Sequence, residues 1–443
     1  VKWPLLLLTT AVVLSAIDPD GTTPLHWAAH NDDVAGAQRL LKSGADPKAA
    51  NQFGITPLSL ACTNGSAPMV ELLLKAGADP NTTLPGGETA LMTCSRTGKP
   101  DAIRALLKAG AAVNAREQKS GQTALMWAAA EGNGEAVGAL LAAKAELNAR
   151  VDSGYTAFLF AVREGHIGVV RTLVKAGVDV NETIQPGLIS GKRFAQVRAG
   201  PRPGTTALLI AVTNAHYELA SVLLDLGADP NASIPGLTVL HAITTVRKPG
   251  VGDNDPAPDG SGNMTAIEFV RKIAAKGANL NAKMTKKIGL GMTAINTVGA
   301  TPFFMAARTA DTELMRVLVE LGADPKINNA DNSTPLMAAA GLGTRSPGED
   351  SGTEPEVLEA IEYLISIGAD PNAVDEKGET AMHSAAYKNY PKAIQLLSAK
   401  GAKKEVWNKP NKQGWTPLRI AEGYRFGNFK PSPPTVAALQ SLN

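Results

Sequence analysis

Cysteine is nearly absent from this chain: Cys62 and Cys94 are the only two in 443 residues, too few for the disulfide framework of a small secreted scaffold. Both are flanked by small or polar helix formers, so buried free thiols are the expectation, with a single pair left open. Aromatic residues make up only 5% of the chain, so any core must be built from Ala, Leu and Val, which suits close packing of helix on helix. An excess of charge of either sign is also missing, with 43 basic and 41 acidic side chains and a formal charge of +2. That balance lacks the electrostatic footprint of a nucleic-acid binder, and 44% hydrophobic residues are too many for a disordered chain. The longest apolar run, Pro4 to Ile17, is too short to span a bilayer.

That run follows Lys2 and ends near small residues at Ser15 and Ala16, the make-up of a secretory signal. A second reading makes it the later helix of a truncated leading repeat, because Leu7-Leu8 precede Thr23 by the 16 residues that separate Leu40-Leu41 from Thr56. The register then fails: Ala11-Val12-Val13-Leu14 stand where Gly44-Ala45-Asp46-Pro47 end the next helix. Residues 1–17 are therefore read as a signal peptide or apolar N-terminal segment. The protein is expected to be exported, to a periplasm or the extracellular space, with the cytoplasm as alternative, and no stable membrane span is expected after signal removal.

What is abundant is a repeat. Thr23, Thr56, Thr89, Thr123, Thr156, Thr206, Thr238, Thr301, Thr334, Thr380 and Thr416 open one recurring pattern, and where nothing interrupts it the step is mostly 33 or 34 residues. Thr is placed to cap a first helix, with Pro following where its missing N–H is harmless. Paired leucines such as Leu73-Leu74 and Leu223-Leu224 mark a second helix, which ends in Gly-Ala-Asp. Two residues before nearly every Thr stands a glycine, as a tight turn with positive φ demands. The exception is Asn332, the next-best residue for that conformation. Each unit is thus a hairpin turn followed by two antiparallel helices, and only stacking can bury its apolar face.

The runs Thr23-Pro24-Leu25-His26-Trp27-Ala28, Thr301-Pro302-Phe303 and Thr334-Pro335-Leu336 resemble the Thr-Pro-Leu-His-x-Ala signature of the ankyrin-repeat family, at that family's period. The style of the repeat, dominated by Gly-Ala-Asp-Pro-Asn, looks like that of bacterial, exported ankyrin proteins. The resemblance implies an all-α solenoid of about eleven hairpin-helix-turn-helix units in one array over residues 18–443, with repeats near 18–181 and 204–428 and a C-terminal cap at 429–443. It further implies a scaffold that binds a macromolecular partner on a concave face made by hairpin tips and first helices. A regulatory scaffold inside the cell is the alternative, and a metal-binding or enzymatic protein using its insertions a more distant one.

Four insertions break the rhythm, near 182–203, 247–262, 282–298 and 343–353. The first and third fall in hairpin loops, and the second and fourth between first and second helices, on the edge expected to be opposite. Charge sorts with edge. Lys192, Arg193, Arg198 and Arg202 lie in the first, and Lys283, Lys286 and Lys287 in the third; Asp253, Asp255, Asp259, Glu349 and Asp350 lie in the other two. With packed helices ~8–10 Å apart, the two basic fingers stand on the order of 20 Å from each other and are suited to an acidic protein partner, unless their composition is mere drift of surface loops. The residue before each Thr sits at a hairpin tip, where Ile55, Tyr155, Leu237 and Trp415 are candidate anchors; packing on the neighbouring hairpin is the other reading of the aromatic ones.

Catalytic residues are not found. His26, His241 and His383 are the fourth letter of the repeat signature, and His166 and His216 sit in the turn between helices. His30 pairs with His26 at i, i+4 but lacks the intervening Glu of a zinc-protease helix, so no metal site is assigned. Gly289-Leu290-Gly291 has neither the strand nor the later glycine of a dinucleotide loop, and Gly252 to Gly262 lacks the spacing and closing Glu of a calcium loop. No cofactor is assigned, the sequons at Asn81 and Asn231 are read as incidental, and the chain is read as a monomer that binds protein and not nucleic acid.

Overall fold

The computed structural model describes residues 17–185, 202–234, 236–250, 257–289, 293–427 and 430–442. The N-terminal apolar segment, most of the first insertion and parts of the second and third lie outside these residues. Among the described residues, 23 short helices accompany one two-stranded antiparallel ribbon, Ser233–Ile234 with Leu237–Thr238, so the fold is an all-α repeat solenoid. The chain divides into two compact units. One holds the described residues through Asp179 with Ile184 and Gln185, the other Val180–Thr183 and the described residues from Arg202 onward.

Local chemistry sets each helix start. Every repeat-opening Thr adopts an extended backbone, and except at Thr238 its hydroxyl accepts from the N–H three residues on, as from Ser59 to Thr56 and Phe304 to Thr301 at 3.2 Å each. Thr238 instead meets the His241 ring at 2.8 Å. The turns before Thr56, Thr334, Thr380 and Thr416 are held by a side chain of their own: Asn51, Asn329, Asp375 and Asn411 each use one Oδ1 to accept two tip N–H groups at 2.8–3.1 Å. Asn332 has φ +59°, the left-handed conformation expected of it.

Within the first unit, the first helices Pro24–His30, Pro57–Asn64, Ala90–Thr97, Ala124–Ala130 and Ala157–Arg163 pack in succession, as do the second helices behind them. Ala29, Ala61, Ala129 and Ala161 are fully buried there, and their small size is what lets helix axes approach. The second unit stacks six helix pairs by the same rule and ends with helix Pro433–Gln440 against Pro391–Ala399. Neighbouring repeats are stitched at both ends. Single backbone bonds link hairpin to hairpin, for example Glu376 N–H to Asp331 O at 3.0 Å and Lys412 N–H to Lys377 O at 2.8 Å. At the other end, Asn81 donates to Gly110 O and accepts from Ala112, and Asn231 does the same with Gly277 and Asn279. The amides of both sequons are therefore used inside the fold.

Two expectations are corrected by the packing. Cys62 and Cys94 are not free thiols: they form a disulfide between helices Pro57–Asn64 and Ala90–Thr97, with Cα atoms 4.5 Å apart. Stacked parallel helices point equivalent positions the same way, so residues one position out of register, ~100° apart around the helix, are the ones that face each other. The inter-helix insertion Gly343–Thr353 is likewise no acidic surface loop. Asp350 is buried, pairs with Arg308 at 2.9 Å and accepts from the Thr344 hydroxyl at 2.9 Å. Lys388, also buried, donates to the carbonyls of Ser351 and Gly352, and Arg425 to those of Tyr387 and Thr344.

Buried histidines tie repeats together and make the second unit acid-sensitive. His383 reaches from Thr380 to the Lys409 carbonyl at 3.1 Å, and burial pushes its pKa down to about 4 against the opposing pull of the Lys409 and Trp415 backbone. The unfolded chain takes up this proton near pH 6.5, so between pH 6.5 and 4 the unfolded state binds more protons. Stability from this residue is complete above pH 6.5 and is lost on the way to pH 4, by roughly 3 kcal/mol at most. Urea unfolding at pH 7 and 4.5 should show that drop, and the difference between the two pH values should shrink in His383→Gln.

Candidate partner-binding site

The side of the first helices that the resemblance assigns to partners is open in some repeats and covered in others. The fifth residue of the signature, Trp27, is 50% exposed in the first unit, whereas Met305 and Ala338 in the second are each 1% exposed. The third insertion covers them: its Met284 and Ile295 pack into one cluster with Phe304, Met305, Met337 and Leu342. Backbone bonds fasten it there, from Met284 N–H to Ala300 O at 2.9 Å and from Ala294 N–H to Gly343 O at 2.8 Å. The third and fourth insertions therefore meet, and the expected separation onto opposite edges does not hold for this pair. A seven-residue first helix is only ~10 Å long, a span the insertion easily crosses. At Gly343, with φ +71°, a Cβ would stand 2.9 Å from Ile295 N, so only glycine allows the approach.

Where the insertion ends against the hairpin tips, a cavity of about 120 Å³ forms. Its walls come from segments far apart in sequence: Asn296 of the insertion, Asp331 and Ser333 of one tip, Lys377 and Glu379 of the next, Gln413 of the last, and Phe426 beyond it. The acidic groups are ordered by a dense set of bonds. Asn296 donates to Asp331 at 2.9 Å, Lys377 pairs with the other Asp331 oxygen, and Ser333 donates to Asp375 at 2.8 Å. Burial disfavours the Asp331 carboxylate, but the bonds from Lys377 and Asn296 outweigh it and hold its pKa below the ordinary carboxylate range. Glu379 is 4% exposed; its Oε1 accepts from Asn411 at 2.8 Å and from the Tyr387 hydroxyl at 3.0 Å, while Oε2 has no donor. Burial, aided by the nearby Asp375, lifts its pKa to about 7 against the bonds from Asn411 and Tyr387.

The residues singled out from sequence fall into three groups. Lys192, Arg193 and Arg198 lie outside the described residues. Arg202, Lys286 and Lys287 are exposed, and Lys283 with them. The tip residues are mostly engaged. Tyr155 is 5% exposed, stacked on Phe160 at 5.2 Å with the Arg163 guanidinium over its ring, so it is no open anchor. Leu237 packs against the insertion cluster, Ile55 is half-buried, and Trp415 stands edge-on to Phe426 at 4.8 Å. Exposed apolar residues that the tip rule did not select are Trp27, Phe53 and Val374, at 50%, 56% and 47%. Phe53 occupies the third residue before Thr56, a position where the other tips carry such residues as Asp331 and Lys377.

The hydroxyls of this region, Ser333 and Thr344, donate to the structural carboxylates Asp375 and Asp350. Among the described residues no three His, Cys, Asp or Glu side chains gather as a metal would require, and no helix is long and apolar enough to cross a membrane. The repeats, their caps and their tip surfaces define a protein-interaction module. The family described as "Ankyrin repeats (3 copies)" matches residues 25–117, 114–184 and 354–428, and the single ankyrin repeat matches 204–233 and 331–376. The chain belongs to the ankyrin-repeat family. It is 34% identical over 104 residues to the ankyrin repeat, SAM and basic leucine zipper domain-containing protein 1 of Dasypus novemcinctus, a match covering 24% of this chain and 20% of that protein. It is 32% identical over 191 residues to the neurogenic locus notch homolog protein 1 of Xenopus tropicalis, covering 38% of this chain and 7% of the other. The matches thus span at most a fifth of the length of these two relatives.

Proposed function

We propose that this chain binds a protein partner on the hairpin-tip side of its second unit, in an oxidising compartment outside the cytoplasm. The observation that carries the first half is the insertion-built cavity. A loop that buries its apolar residues over two first helices and leaves a walled, polar recess at the tips converts a generic repeat surface into a specific one. Exposed Phe426 on its wall, and exposed Val374 next in sequence to the lining Asp375, offer apolar contact, and Lys283, Lys286 and Lys287 on the insertion supply positive charge suited to acidic side chains of the partner. The Cys62–Cys94 disulfide supports the second half, because such bonds persist in exported proteins and are reduced in most cytosols. The apolar run from Pro4 to Ile17 agrees with export.

The test is capture from the native host's extract with the whole chain, compared with Val374→Asp/Gln413→Trp in the second unit and Phe53→Ser in the first. Both replaced second-unit residues are exposed, so the melting temperature should stay within a degree or two. A partner should be weakened at least tenfold by the double variant and held by Phe53→Ser. Equal recovery with all three proteins would remove the second-unit surface as the binding site.

A further inference from the structure

Arginine recurs at the seventh residue after the repeat-opening Thr, as Arg96, Arg163 and Arg308. Two of the three have a carboxylate. Arg163 meets Glu164 at 2.7 Å and lies over the rings of Tyr155 and Phe160. Arg308 meets Asp350 at 2.9 Å, and that carboxylate is brought to it by the fourth insertion. Arg96 is exposed, its guanidinium 5.2 Å from the centre of the Trp127 ring in the next repeat, and no carboxylate among the described residues pairs with it. The fourth residue after Thr lies one helical turn earlier, so its row runs beside the arginine row along the stack. There the two units differ in the same way. In the second, Met305 and Ala338 are buried in one cluster with Met284 and Ile295 of the third insertion. In the first, Trp27 is half-exposed, and Leu60 and Trp127 are partly exposed. An unpaired surface arginine is ordinary by itself. What sets Arg96 apart is the ring that holds its plane and the pairing its counterpart Arg308 receives from an inserted segment.

We infer that the first-helix face of the first unit binds an extended segment of a partner protein, which supplies there what the insertions supply in the second unit: a carboxylate to Arg96 and apolar side chains to Leu60 and Trp127. This surface is separate from the one proposed for the second unit and does not depend on it. The guanidinium fork matches a carboxylate with two parallel bonds. Stacking on Trp127 holds the fork in place before the ligand arrives, so little freedom is lost on binding. Leu60, Arg96 and Trp127 stand on three successive repeats. With first helices ~8–10 Å apart and an extended chain rising ~3.3 Å per residue, the segment needs an apolar, an acidic and an apolar residue about three positions apart. Trp27, one repeat before Leu60, takes a further apolar residue. Glu88 and Glu131 lie in the same repeat as Arg96 and in the next, so one isolated carboxylate suits this face and a phosphate backbone does not.

The probe is the peptide acetyl-Leu-Gly-Ser-Glu-Ser-Gly-Leu-amide, with Gln in place of Glu as its neutral control. Each is titrated into the full chain and followed by NMR at the Trp127 indole, whose signal is assigned by its loss in Trp127→Phe. The Glu peptide should bind in the millimolar range and roughly fivefold more tightly than the Gln peptide at low salt, the upper end for one solvent-accessible ion pair. That preference should fade as salt screens it. Arg96→Gln, at an exposed position, should melt with the native chain and bind both peptides equally, whereas Arg163→Gln should keep the preference. Equal binding of the two peptides by the native chain, a preference retained by folded Arg96→Gln, or no shift of the indole with either peptide at millimolar concentration overturns the proposal. A single-stranded oligonucleotide that shifts the same indole at lower concentration than the Glu peptide overturns it too, in favour of a nucleic acid. Val374→Asp/Gln413→Trp should leave every one of these titrations unchanged, so failure of the second-unit reading is recognised separately.

Discussion

Asp350→Ala should cost the second unit about 3–5 kcal/mol, the range for leaving a buried charge without its partner. Asp350 sits 2.9 Å from Arg308, with both side chains under one-tenth exposed, and also accepts from the Thr344 hydroxyl and the Ser351 N–H. Its charge is felt by Lys388 as well, whose pKa burial pushes down to about 8 while Asp350 acts to raise it. Removing the carboxylate therefore leaves two buried cations facing each other. Arg308 is already under-satisfied, since its Nε has no acceptor. The loss should be regional, because repeat stacks unfold in parts: hydrogen exchange should speed up over 343–353 and helices Pro335–Ala340 and Ala381–Lys388, and remain native in the first unit. A double variant, Arg308→Met/Asp350→Leu, should recover most of the stability, as apolar replacement of a buried pair usually does. A loss below ~1 kcal/mol on Asp350→Ala in urea would show that the insertion is held by its backbone bonds alone.

That result also marks where sequence reasoning stops. Helix starts and turns were legible because their causes are local: a Thr hydroxyl and an N–H three residues on, or Asn332 in place of glycine. The apolar residues of the third insertion, Met284 and Ile295, carry no period, so nothing local reveals that they cover Met305 and Met337. Asp350 reads as surface acid for the same reason; its partner Arg308 is 42 residues away. Glu379 was visible as a tip residue, in the same position as Ile55 and Trp415. Its unpaired oxygen depends on Tyr387 and Asn411, which come from the next helix and the next tip. A carboxylate among tip residues followed by a tyrosine eight positions on is the one signal that pointed there.

Replacing Cys62 and Cys94 together by Ala should destabilise the first unit by just under ~4 kcal/mol, from the entropy of closing a loop of 32 residues. Both residues are fully buried on adjoining first helices, among alanines that already pack closely. The double replacement thus removes two sulfur atoms from the core as well as the cross-link. A cycle separates the two contributions. If the cross-link dominates, either single variant costs nearly as much as the double; two independently packed thiols would give additive losses of ~1 kcal/mol each. Reductant should move the native chain toward the double variant in urea, leave the double variant unmoved, and leave the second unit's transition unmoved in both. The compartment enters through the same bond. Protein isolated from its native host and alkylated before reduction should yield a peptide pair joined through Cys62 and Cys94. Full alkylation of both thiols in that sample would mean that the helices hold the cysteines together without oxidation, and the case for a site outside the cytoplasm would lose its structural support.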